Sequence, residues 1–99
     1  MAAVLEQEEF SKHLNTRFRI QVNEGETVEA ELTEVSELSV TARQARFAVT
    51  FRSPNQPFLG QGMRQFEHDQ MGAFELFIAP FEQDDKGTNY VAVFNRVIE

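Results

Sequence analysis

The run Gly72-Ala-Phe-Glu-Leu-Phe-Ile-Ala-Pro-Phe81 settles the architecture of this chain. Seven of its ten residues are apolar. As a strand it sets Phe74, Leu76 and Ile78 on one side and Phe77, Ala79 and Phe81 on the other. A strand apolar on both sides is expected to be central and covered above and below. Pro80 has no N–H to give a ladder, so the strand is expected to stop there or pass to an edge.

Working outward, strand signals recur at short spacing. Tyr90 to Ile98 is nearly as apolar on both faces and is the expected neighbour of the central strand. Between them Asp84-Asp85-Lys86-Gly87 has turn chemistry. Upstream, residues 63–68 read as a strand with Phe66 inward and Arg64 and His68 of the same parity, returning through Asp69-Gln70-Met71-Gly72. Phe47, Val49 and Phe51 alternate with polar residues in a strand near 45–52, as Phe18, Ile20 and Val22 do near 17–22. A strand near 27–35 changes parity between Leu32 and Val35, which a bulge near Thr33–Glu34 would correct. The polar stretch Ser39–Gln44 reads as a connector.

Residues 6–14 form the one predicted helix. Phe10 and Leu14, with Leu5 a turn earlier, make a narrow apolar stripe. Glutamates crowd its first turn, Lys12 and His13 its last, and Asn15 suits a left-handed cap. Such a short helix must dock on the sheet to persist. The predicted fold is mainly β: about six antiparallel strands at 17–22, 27–35, 45–52, 63–68, 73–80 and 90–98, in a curled sheet or small barrel. The helix covers an open end or face, and a two-layer sheet–helix arrangement is the alternative.

Ninety-nine residues make one domain. Residues 24–37 carry six glutamates and no base, and residues 38–66 four arginines and no acid. Paired as strands, they place Glu29 and Glu31 on one outer face with Arg46 and Arg52. The net charge of −7 opposes phosphate-neutralising nucleic-acid binding. The chain has no cysteine, so disulfides, thiolate metal sites and thiol catalysis are absent. Residues 1–9 lack the pattern of a signal peptide. No apolar run approaches the roughly 18 residues of a membrane helix. Cytoplasmic synthesis is the plain expectation.

Catalytic constellations are not apparent. Glu67-His68-Asp69 looks like a metal or acid–base cluster, but successive strand residues point to opposite faces. His68 is expected instead to end its strand and bond a turn backbone. Asp84-Asp85 lacks the ligand spacing of a calcium loop, Gly60-Gln61-Gly62 lacks the rest of a phosphate loop, and no serine sits in a nucleophile elbow. We therefore expect no enzyme, no catalytic residue, no metal and no cofactor. Ten Phe, one Tyr and no Trp point to core filling rather than ligand stacking.

The irregular stretch Ser53–Gly62 holds two prolines, two glycines and, in its middle, Phe58 and Leu59. Apolar residues there either tuck under the loop as an anchor, the commoner outcome, or stand out as a contact point. A partner protein would meet Phe58 and Leu59, with Arg52 and Arg64 nearby. The alternative role is a small-ligand carrier with a cavity inside the barrel, contacted by Arg64 or His68.

Gly62-Met-Arg-Gln-Phe-Glu-His68, Gly72–Pro80 and Tyr90-Val-Ala-Val-Phe-Asn95 together resemble a bacterial domain-of-unknown-function family of similar length. Its members typically read Gln-Gly, an aromatic, Leu-Glu-His, then Leu-Gly, Leu-Phe-Leu-x-Pro, and end Tyr-Glu-Ala-Val-Phe-Asn. Arg64 stands where that family usually has an aromatic, and Val91 where it often has glutamate. The resemblance implies no known activity. It implies company: relatives are often encoded beside phage-tail-collar-like fibre proteins, which would make this chain an accessory or assembly partner of one.

Overall fold

The computed structural model describes residues 7–97. Its elements are helix α1 (Gln7–Lys12) and strands β1 (Arg17–Asn23), β2 (Glu26–Val35), β3 (Ser39–Val40), β4 (Gln44–Ser53), β5 (Gly62–His68), β6 (Gly72–Gln83) and β7 (Thr88–Val97). Every predicted strand is present. The supposed connector contains one more, β3, which folds back so that Ser39 and Val40 pair with Arg46 and Ala45. Leu5, Glu6 and Ile98 lie outside the described residues.

The strands close on themselves. Around the barrel the order is β1–β2–β4–β7–β6–β5 and back to β1, with every pairing antiparallel and β3 as an extra strand on β4. Closure removes the unpaired edges an open sheet would leave. The β2–β4 register shifts between Leu32 and Glu34, at the predicted bulge, and there β2 turns from β1 toward β4. Two turns use left-handed backbone, Gly25 at φ 80° and Gly72 at φ 81°, where a side chain would be strained.

Alternation then fixes the core. Phe18 and Ile20 of β1, Ala30 and Leu32 of β2, Phe47, Val49 and Phe51 of β4, and Phe66 of β5 all face inward and are buried. Leu76 and Ile78 of β6 and Tyr90 and Ala92 of β7 complete it. Helix α1 contributes Phe10, fully buried at one end of the barrel. Its ring lies 5.4 Å from that of Phe94, 6.0 Å from Phe74, 6.1 Å from Phe47 and 6.4 Å from Phe18. One short helix is held by this aromatic plug rather than by its own propensity.

Several expectations need correction. The stretch 72–81 is not covered on both sides: Phe77 is 51% and Phe81 56% exposed. A closed barrel has one interior, and each strand gives it one face; the other faces outward, with no second layer to cover it. For the same reason Val93 of β7 is exposed. Nor does the strand stop at Pro80. It continues to Gln83 because the β6–β7 register slips between Pro80 and Glu82, and a bulge tolerates a residue without an N–H. The helix ends at Lys12 rather than residue 14, and Leu14 is exposed. Asn15 does take the left-handed conformation, at φ 68°, and its N–H bonds to the Leu32 carbonyl at 2.7 Å. That bond pulls the chain off the helix and into β1.

The charges pair differently from the expectation. Glu31 does stand opposite Arg52, but Arg46 stands opposite Ser39 and Asn95. Ion pairs instead join Arg17 to Glu29 (2.9 Å), between β1 and β2, and Arg52 to Asp84 (2.6 Å). Arg19 meets both Asp69 (3.0 Å) and Glu67 (3.4 Å).

Candidate functional site

The barrel has two differently built ends. At the helix end, His68 closes β5 and takes the role the sequence suggested. Its Nδ1 accepts the backbone N–H groups of Gln70 (3.1 Å) and Met71 (3.2 Å), and so shapes the turn into β6. Its Nε2 lies 3.0 Å from Thr16 Oγ1, and its ring stands 4.5 Å from that of His13 and 4.3 Å from that of Phe18. Burial first, then the neighbouring His13 and Arg19, holds the imidazole below its ordinary pKa, with Asp69 opposing. The residue is buried and its bonds go to its own fold.

At the opposite end the 54–61 loop crosses the barrel mouth. It contains a cis Gln56–Pro57 peptide. Leu59 drops into the core at 3% exposure, and its N–H donates to the Tyr90 hydroxyl at 2.9 Å. Asn55 ties the loop's start to the β6–β7 turn. Its Nδ2 donates to the Asp84 carbonyl (2.7 Å), and its Oδ1 accepts from Thr88 Oγ1 (2.8 Å) and Gln83 Nε2 (3.2 Å). With both sides of the loop pinned, Phe58 is held out at 55% exposure, its ring 6.5 Å from that of Tyr90. The apolar pair therefore divides: Leu59 is the anchor and Phe58 is the residue on display.

The two arginines are placed differently. Arg52 is committed: Nη2 donates to Asp84 Oδ1 (2.6 Å) and Nη1 to Asn89 Oδ1 (3.2 Å). Its guanidinium, helped by the Lys86 and Gly87 N–H groups, holds the Asp84 carboxyl below the usual carboxylate range. Arg64 is half-buried on the inward parity of β5 and donates to the Gly60 carbonyl at 3.4 Å, while its Nε is buried without a partner. Phe58, Leu59 and Arg64 thus share the loop end. Arg64 and His68 do not converge: four residues of strand, roughly 13 Å, separate them toward opposite ends.

Among the described residues, Phe18, Ile20, Leu32, Phe51, Phe66 and Ile78 pack the interior at 0% exposure. A groove of about 210 Å³ lies on the outside, lined by polar residues including Arg19, Gln21, Glu26, Gln65 and Glu67, where β1 and β5 part. Among the described residues no three His, Asp or Glu side chains gather as metal ligands, and no helix is long and apolar enough to cross a membrane. The exposed hydrophobes are what the sequence alone did not sort from the buried ones. Parity could have placed Phe77 and Val93 outside, had closure been assumed.

This is a small closed antiparallel barrel, plugged by a helix at one end and by a pinned loop at the other. The chain belongs to the family described as Domain of unknown function (DUF6916), which matches residues 5–94. No curated protein and no solved structure matches it.

Proposed function

We propose that the chain is a non-enzymatic protein-interaction or assembly module whose contact point is the loop end of the barrel. The observation that carries this reading is Phe58, an apolar ring held in solvent by a loop that is pinned on either side of it. A surface aromatic already fixed in place loses little conformational freedom when a partner covers it, and such anchors dominate interface energetics. Arg64, with an unpartnered Nε beside the same loop, supplies a cationic neighbour. The partner class suggested by the resemblance above is a tail-fibre-like protein.

The test is a binding titration between this chain and a purified tail-fibre-like protein from the same genome. Phe58→Ser is expected to weaken binding at least about thirtyfold, the effect of losing an anchor residue, with the thermal melt unchanged. Undiminished binding by that variant, or no binding by the native chain, removes the reading. Unfolding of the variant would show that Phe58 belongs to the core.

A further inference from the structure

The outward face of β6, β7 and β4 carries a second, independent pattern. Met63 (58% exposed) stands opposite Phe77 (51%) across β5 and β6. Ala79 stands opposite Val91, Val91 opposite Thr50, and Val93 (48%) opposite Ala48. The β6–β7 ladder ends at Ala79 and Val91; continued at the same antiparallel count, it would set Phe77 level with Val93 and Glu75 level with Asn95. Asn95 in turn stands opposite Arg46. Three rows result, each read from β6 through β7 to β4: Glu75–Asn95–Arg46, Phe77–Val93–Ala48 and Ala79–Val91–Thr50. Large meets small across one row, and acid meets base across another. Glu75 and Arg46 are both exposed, and neither takes part in any ion pair found among the described residues.

We propose that this face docks a second copy of the chain about a two-fold axis lying along β7 in the plane of contact. Such an axis keeps each row level and exchanges its two sides. Glu75 of one copy then meets Arg46 of the other, twice over. Phe77 seats over the small Ala48, and Val93 meets Val93 on the axis. An isologous interface requires a patch that complements itself, and here both the charges and the sizes do so within one face. The apolar row supplies the driving force and the flanking charges set the register.

Sedimentation velocity over a concentration series reaching about 100 μM covers the weak end of specific homodimers. The native chain is expected to dimerise. Arg46→Glu or Glu75→Arg alone, which sets like charges together, is expected to raise the dissociation constant about tenfold or more. The double reversal is expected to restore it. Val93→Arg, which brings two cations together on the axis, is expected to give a monomer whose circular dichroism and melt match the native chain. The charge series stands by itself if Val93→Arg fails to fold. A native chain that stays monomeric throughout overturns the proposal. So does a double reversal that restores nothing, or a dimer that is lost on Phe58→Ser, which belongs to the other end.

Discussion

The Nε2 of His68 lies 3.0 Å from the hydroxyl of Thr16, across 52 residues of sequence. Because Nδ1 already accepts two backbone N–H groups, the proton of the neutral ring belongs on Nε2. Nε2 therefore donates to Thr16 Oγ1, which donates its own hydrogen to the His13 carbonyl at 2.6 Å. One imidazole links the helix exit, the start of β1 and the β5–β6 turn, and only its neutral form makes all these bonds.

Acid should loosen this link. The His68 pKa is lowered on folding from an ordinary 6.5, so near and below that pH the unfolded chain binds more protons than the folded one. The stability contributed by neutral His68 is complete above about pH 6.5 and declines as pH falls through that value toward the lower folded pKa. His68→Asn keeps an acceptor for the turn and removes the titration. Melting temperature against pH should fall more steeply below neutrality for the native chain than for this variant. Parallel curves would refute the assignment.

Tyr90→Phe deletes the acceptor for the Leu59 N–H while keeping the ring. A buried donor left without a partner costs about 1–3 kcal/mol. Urea denaturation should show that loss, and amide exchange at Leu59 should accelerate more than exchange in β4. Fast exchange confined to other loops would mean that the hydroxyl does not hold the 54–61 loop.

Gly87 sits where a methyl group would lie 2.8 Å from the Ser53 carbonyl oxygen and 3.3 Å from the Arg52 guanidinium. The first of these is backbone and yields only with a shift of the strand. Gly87→Ala should therefore destabilise by about 1–3 kcal/mol, as overpacking does. Gly60→Ala, with nothing within 4 Å of the added carbon, should stay within about 0.5 kcal/mol of native. Equal denaturation midpoints for the two would contradict the packing described.

Phe10→Ala should cost about 3–5 kcal/mol, the usual loss for a fully buried phenylalanine. The near-ultraviolet signal of the phenylalanine cluster should change with it. A chain that loses less than about 1 kcal/mol would show that α1 is dispensable to the barrel.

Most of the fold was legible because period-two alternation reports which residues share a face. Phe18 with Ile20 and Phe47 with Val49 and Phe51 all went inward as read. Alternation does not report what covers the second face. Phe77, Phe81 and Val93 are as apolar as their buried neighbours, and only ring closure decides that they face water. Pro80 signalled an interruption, but whether a strand ends or bulges depends on the partner strand, here β7. At the loop end composition marked Phe58 and Leu59 together. Which of the two is buried depends on Tyr90, whose hydroxyl meets the Leu59 N–H across 31 residues. The place of His68 is legible because strand parity and the following turn are both local.

The joint between β1 and β5 consists of two rungs, Arg19 with Glu67 and Ile20 with Phe66, whereas β4 and β7 share ten. Nearest-neighbour hairpins can form from nearby chain, but this joint must bring together segments far apart in sequence and has little ladder to show for it. Folding is therefore expected to zip the hairpins first and to shut the cylinder last along this line. In reverse, the molecule is expected to unroll before it melts, the amides of these few residues exchanging through an opening that leaves the β4–β7 wall intact.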